Sequence, residues 1–212
     1  ITYTHDGSET TSDSLTYQSS DYFETSNTVT AAINITPVND PPVVSNTYGI
    51  GNEGGIITST LSATDPDDSD PSSFTFSIIN PPNNIIDNVS IDKVSYTLGT
   101  FTAEAKYTHD GSETIIDSLT YKASDSLLDS NIGTDTLTII AVNDPPETYN
   151  VNGSGAEGST ITTILTATDV DNNDPLDFTF TIKDQPIEML SDTTMDLSAP
   201  IEYSSGTFTQ LV

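Results

Sequence analysis

Two short loops carry the residues best suited to chemistry. Asp65-Pro66-Asp67-Asp68-Ser69-Asp70 and Asp169-Val170-Asp171-Asn172-Asn173-Asp174 space their carboxylates closely after an apolar stretch. Such spacing offers several oxygens to one hard cation. Calcium takes about six to eight oxygens in irregular geometry, whereas magnesium demands a near-ideal octahedron. No cysteine exists and the two histidines lie elsewhere in the sequence, so zinc and copper are poorly served. Asp65, Asp67 and Asp70, with Asp169, Asp171 and Asp174, are therefore candidate Ca2+ ligands. The same residues are also good turn formers, and a solvated turn is the plainer reading of one copy alone. His5 and His109 each sit in Thr-His-Asp near a serine. A catalytic triad needs three groups converging in a pocket rather than one run of chain, so both are read as structural strand-end residues and no catalytic residue is expected.

The loops recur because the chain repeats. YTHDGSET stands at Tyr3–Thr10 and again from Tyr107 to Thr114; NDPP stands at Asn39–Pro42 and again at Asn143–Pro146. Glu53-Gly54 and Glu157-Gly158 share the same offset of 104 residues. A constant offset over separate landmarks marks tandem copies of one domain. Residues 1–42 read as the C-terminal half of a repeat, 43–146 as a complete repeat, and 147–212 as the N-terminal half of a third. Val212 followed by Ile1 would nearly restore the uninterrupted pattern, which predicts that each half is completed by a neighbouring copy. That copy would lie in one long repetitive chain or in another subunit.

Composition narrows the function. The 212 residues carry 32 acidic and 4 basic side chains, a net charge of −28, with no arginine. Nucleic-acid binding needs clustered cations, so that class is excluded, and anionic membrane surfaces are disfavoured. Self-repulsion of this size calls for bound cations or salt. Without cysteine a secreted domain lacks disulfides, and metal is the obvious substitute staple. No apolar run approaches the roughly 20 residues of a spanning helix. No signal peptide is visible and Ile1 is not an initiator, so the chain reads as mature material or a segment of something longer.

Alternating apolar positions predict strands at 56–63, 73–79, 94–102, 118–123 and 134–142, with a short one near Lys106. Phe74/Phe76/Ile78, Val94/Tyr96/Leu98, Leu119/Tyr121/Ala123 and Leu137/Ile139/Ala141 would face inward. No segment shows a sustained helical period. The expected class is all-β, in tandem immunoglobulin/cadherin-like sandwiches of about seven strands each. Asn34, Asn88 and Asn152 open glycan-acceptor triplets.

The order Glu-Gly, ATDxD, FTF, a Ser-Asp after Leu-x-Tyr, and VNDPP resembles cadherin-like tandem repeats of large bacterial surface proteins. The HDGSE segment is also similar to chondroitin-sulfate-proteoglycan-type repeats. The resemblance spans the whole chain and implies calcium between consecutive domains. Carried over by position, the first junction would use Asp6, Glu9, Asn39, Asp40, Asp65, Asp67 and Asp125, with Asp70 beside them. The second would use Glu53, Asp110, Glu113, Asn143, Asp144, Asp169 and Asp171, with Asp174. Glu157 and Asp21 would serve neighbouring junctions. Pro37 and Ala141 stand near the place of the family's leading linker aspartate, so one or two ions per junction are expected rather than three.

The resulting expectation is a non-enzymatic, extracellular or cell-surface structural repeat. It would be stiffened by calcium and would meet copies of itself head to tail. The alternative is a carbohydrate- or ligand-binding adhesin module, or an accessory domain of a secreted enzyme, with surface glycans as partners.

Overall fold

The computed structural model describes residues 1–189 and 195–212, all strand, turn or loop. They form two compact units, residues 1–141 and 142–212. In the first, β1 (Ser12–Tyr17) and β2 (Val29–Asn34) make an antiparallel ribbon running from Ser12 opposite Asn34 to Tyr17 opposite Val29. The ribbon is a sheet of two strands only. Leu15, Ala31 and Ile33 are half-buried, and Tyr17 is exposed.

The rest of this unit is a complete sandwich. Its strands are β3 (Val43–Val44), β4 (Thr47–Asn52), β5 (Ile56–Thr64), β6 (Thr75–Asn80), β7 (Ser90–Ile91), β8 (Ser95–Thr97), β9 (Thr100–Thr108), β10 (Ile116–Ser124) and β11 (Gly133–Ile140). Hydrogen bonding runs β6-β10-β11-β4-β5-β9-β7, with β3 on β5 and β8 on β9. The path folds back where β4 meets β5 at the single pair Ile50–Thr58. Side chains from its two ends therefore meet: Phe74, just before β6, stacks on Phe101 of β9 at 3.8 Å, while Phe76 of β6 lies 6.0 Å from Tyr121 on the neighbouring β10. The alternation that predicted the strands is what fills this interior. Ile57, Leu61 and Ala63 of β5 face Leu119, Tyr121 and Ala123 of β10 and Leu137 and Ile139 of β11 in one buried cluster. β11 runs parallel to β4, from Asp135 opposite Thr47 to Ile140 opposite Asn52.

Two polar side chains in this core are paired across it, Tyr121 and Asp135. The Tyr121 hydroxyl donates to Ser45 O at 2.5 Å and accepts from Ser62 N at 3.3 Å, tying the two layers together. Tyr121→Phe leaves the Ser45 carbonyl without that donor, and urea melts should show a loss of about 1–2 kcal/mol. Asp135, fully buried, accepts hydroxyl hydrogen bonds from Ser59 and Thr47. Burial pushes its carboxyl above the ordinary range, more than those two bonds pull it down.

Three local expectations are corrected. The stretch 94–102 is not one strand: Leu98 and Gly99 have φ of 51° and 84° and turn the chain between β8 and β9. A two-residue hairpin loop with both φ positive matches the twist of its strands, so Leu98 points out, 99% exposed. The short strand near Lys106 is the far half of the long β9. Ala141 lies beyond the end of β11 and is exposed.

The second unit holds β12 (Glu147–Thr148), β13 (Ile164–Thr168), β14 (Glu202–Ser204) and β15 (Thr207–Leu211), in the order β12-β13-β15-β14. Ala167, Phe178 and Phe208 are its buried cluster, with the two rings stacked at 4.0 Å. Ser205 and Gly206 repeat the positive-φ turn. Residues 151–156 and 178–183 form no strand. Among the described residues no helix is long and apolar enough to cross a membrane.

Candidate metal centre

The first acidic loop begins where β5 ends. Pro66 has no N–H, and Asp65 Oδ1 accepts from the next two backbone amides, Asp67 N and Asp68 N, both at 2.9 Å. Asp68 Oδ1 then accepts from Asp70 N at 2.8 Å, and Asp70 Oδ1 from Ser72 N at 2.8 Å. Successive carboxylates thus fold the loop by bonding the backbone just ahead of them. Asp65 is itself buried, and its Oδ2 has no hydrogen-bond partner.

The linker closes onto this loop. Asp40 N donates to Asp67 Oδ2 at 2.6 Å, and Asn39 Nδ2 donates to Asp125 Oδ2 at 2.7 Å. Asp125 is buried, and its Oδ1 accepts from Leu127 N and Leu128 N at 2.8 and 2.7 Å. Burial alone would raise its carboxyl, but the bonds from Leu128, Asn39 and Leu127 together hold it below the ordinary range. The loop after Tyr3-Thr4-His5 brings in Glu9. One carboxylate oxygen each from Glu9, Asp40 and Asp67 lies within 4.8 Å of the others. The Glu9 carboxyl is raised, chiefly through its contact with Asp67, then by desolvation and by the charges of Asp67 and Asp40. Like charges gathered so closely disfavour a third ionised carboxylate unless a cation is present.

Asp6 and Asp70 are not in this cluster. Asp6 Oδ1 caps Ser8 N at 3.0 Å, and both carboxyls are held low by bonds to nearby serines, Ser8 and Ser72. They shape loops. Asp68, absent from the sequence-derived ligand set, does the same work; its spacing from Asp65 was the signal that could have found it.

In the same unit Glu53 and Glu113 place carboxylate oxygens within 4.8 Å of each other. His109 explains how. Its ring is fully buried, its Nδ1 accepts from Gly111 N at 3.2 Å and Gly54 N at 3.4 Å, and its backbone N donates to Gly55 O at 2.9 Å. It therefore ties the turn after Glu53 to the loop that carries Glu113. Asp110 caps Ser112 N at 3.0 Å and is held low by that serine.

The second unit repeats the linker-to-loop arrangement by itself. Asp144 N donates to Asp171 Oδ2 at 2.5 Å, and Asp169 Oδ1 accepts from Asp171 N and Asn172 N at 3.0 Å. Asn143 Nδ2 bonds Asp144 O at 2.9 Å, and Asp174 Oδ1 caps Leu176 N at 2.9 Å. Every bond here has its counterpart 104 residues earlier, the last one on Ser72 N in the first loop and on Leu176 N in the second. In the first unit the clustered donors are all oxygen, one carboxylate each from three chain segments, a donor chemistry that suits a hard cation such as calcium.

No protein-family model matches the sequence, and no curated protein is significantly similar to it. Among solved structures, the human desmocollin-1 ectodomain aligns over 95% of this chain and 38% of its own, at 14% identity and a TM-score of 0.47. An endo-fucoidan hydrolase of glycoside hydrolase family 107 aligns over 64% of this chain and 20% of its own, at 15% identity and a TM-score of 0.35. Tandem Ig repeats of Dlar align at 10% identity over 80% of this chain and 81% of their own, with a TM-score of 0.25. This chain thus spans well under half of the first two. Likeness at this level carries nothing about function.

Proposed function

We propose that this chain is a non-enzymatic structural repeat of an extracellular filament, stalk or adhesin, related to cadherin-like repeats of large surface proteins. Calcium bound where the linker meets the acidic loop stiffens it, and copies of it meet head to tail. The observation that supports this most directly is the convergence of Glu9, Asp40 and Asp67; Asp65, two residues before Asp67 in the same loop, keeps a buried oxygen without a partner. Three carboxylates collected from separate segments, with the linker amide bonded to one of them, are held together at a cost that a divalent cation removes. Extracellular calcium modules bind at about 10⁻⁴–10⁻³ M, a range suited to extracellular calcium.

Calorimetric titration tests the reading. The native protein should take up calcium in that range with little response to magnesium. Asp67→Ala, which removes both a ligand and the acceptor for Asp40 N, should weaken the first site at least tenfold. Unchanged uptake by that variant would sink the site. A second reading has one observation in its favour: Tyr22 and Phe23 stand 92% and 86% exposed on a loop, ring centroids 5.4 Å apart and edge to face. Such a pair suits stacking on a surface glycan, as an adhesin module or the accessory domain of a secreted enzyme would do.

A further inference from the structure

The outer face of the complete sandwich carries apolar residues that the repeat itself does not require. Ile116 lies opposite Thr138, and Thr138 opposite Ile50; in the next row Ser118 lies opposite Thr136, and Thr136 opposite Tyr48. Ile140, opposite Asn52, stands on the other side of the first row. Buried Leu119, Leu137 and Gly49 alternate with these residues, which therefore point outward from β10, β11 and β4. Tyr48, Ile50, Ile116 and Ile140 are 48–79% exposed. Every strand of the patch lies inside the complete repeat, so its exposure is that of a finished sandwich.

The other copies in the chain supply the comparison. One repeat offset away, the same four positions hold Asn152, Ser154, Ser12 and Thr36. Inward positions keep their character: Leu119 answers to Leu15, Leu137 to Ile33 and Ile139 to Ile35. Strand propensity favours isoleucine and tyrosine in every copy alike, so it does not account for a patch that the flanking copies lack. Contiguous apolar surface of this kind marks a place of contact. These strands also present no carboxylate on this side. They contain two aspartates, Asp117 and Asp135, and both are buried. Lys122, the one cation on the three strands, is paired with Asp129 of the following loop. The opposite layer differs: Asp92 and Glu104 flank Lys106 of β9, and Asp87 holds Thr108.

We propose that this face is a lateral interface between two copies of the chain, each laying its β10-β11-β4 layer on the other's. Two molecules of charge −28 repel wherever carboxylates face one another. A layer without them is where the copies can close to the roughly 10 Å of packed sheets. The apolar side chains supply the contact. The Ser118, Thr136 and Thr138 hydroxyls both donate and accept, so an identical face can satisfy them. Together with β6, strands about 4.8 Å apart and about 25 Å long offer roughly 500 Å² per copy. Two such faces reach the roughly 1,000 Å² at which a specific contact begins, so the dimer is weak and reversible. Carboxylates at its margins repel, so added salt strengthens it; a basic partner would bring the opposite dependence. The interface needs neither the calcium site nor contact end to end.

Sedimentation velocity of the native protein at rising concentration, in low and high sodium chloride and in excess EDTA, tests it. Monomer should give way to dimer, and at lower concentration in high salt. Ile50→Ser with Ile116→Ser installs the residues that the flanking copies carry there. It should raise the dimer dissociation constant about tenfold or more and leave the urea melt nearly unchanged. The chain has no cysteine, so single spin labels locate the contact. A label on Thr138→Cys should lie closer to its counterpart in the other copy than one on Thr60→Cys, exposed on the opposite layer. A protein that stays monomeric at every concentration and salt overturns the inference. So does a dimer that is indifferent to the double variant, or one that salt dissociates. Dimerisation that persists in EDTA while calcium titration fails removes only the metal site. Calcium uptake by a permanent monomer removes only this interface.

Discussion

Chelating calcium should lower the melting temperature of this protein by about 10 °C. A single site at a hundredfold excess of ion over its dissociation constant adds roughly 2.7 kcal/mol to folding. For a unit of this size each kcal/mol moves the midpoint by about 2–4 °C or more. On the proposed reading the ion would act where like charges crowd, at the convergence of Glu9, Asp40 and Asp67. In the unfolded chain those groups separate and solvate, so calcium favours the native arrangement alone. Differential scanning calorimetry in millimolar calcium and in excess EDTA, at matched ionic strength, measures the shift. Matching the salt matters because a charge of −28 responds to screening as well as to specific binding. Coincident melts under the two conditions would remove the metal from the account of stability.

Phe101→Ala should destabilise the complete sandwich by about 3–5 kcal/mol, enough to unfold a marginal domain. Phe101 is fully buried, stacks on Phe74 at 3.8 Å and lies 4.6 Å from Tyr96. Truncation leaves a cavity bounded by both ends of the folded-back strand path, where β9 and the approach to β6 meet, and the rings on either side cannot collapse into it without breaking register. The transition of residues 43–140 should move to lower urea, followed by the fluorescence of the buried tyrosines. A midpoint unchanged by this substitution would mean that the two layers do not share one core.

The strands show how far local pattern reaches. Period-2 alternation was enough to find β5, β6, β10 and β11 within a residue or two, because burying one face of a pleated strand is a local requirement. It failed at Leu98. There the alternation of Val94, Tyr96 and Leu98 continues through a turn, and only the positive φ of Leu98 and Gly99 reverses the chain. Leucine gives no warning of that conformation; the tight pairing of β8 on β9 imposes it. The buried Asp135, satisfied by Ser59 and Thr47, was equally hidden, because its partners lie on other strands.

By itself the amino-acid order determined the 104-residue period, the all-β class, the loops rich in carboxylate and the want of any other staple. These depend on composition and on residues near one another in the chain. Only the tertiary structure decided which carboxylates meet. It gathered Glu9 with Asp40 and Asp67, left Asp6 and Asp70 to cap their own loops, and used buried His109 to bring Glu53 to Glu113. The reason is physical: an aspartate in a turn can satisfy itself on the next amide or reach across to another segment with equal chemical ease. The pairing of distant strands settles which it does.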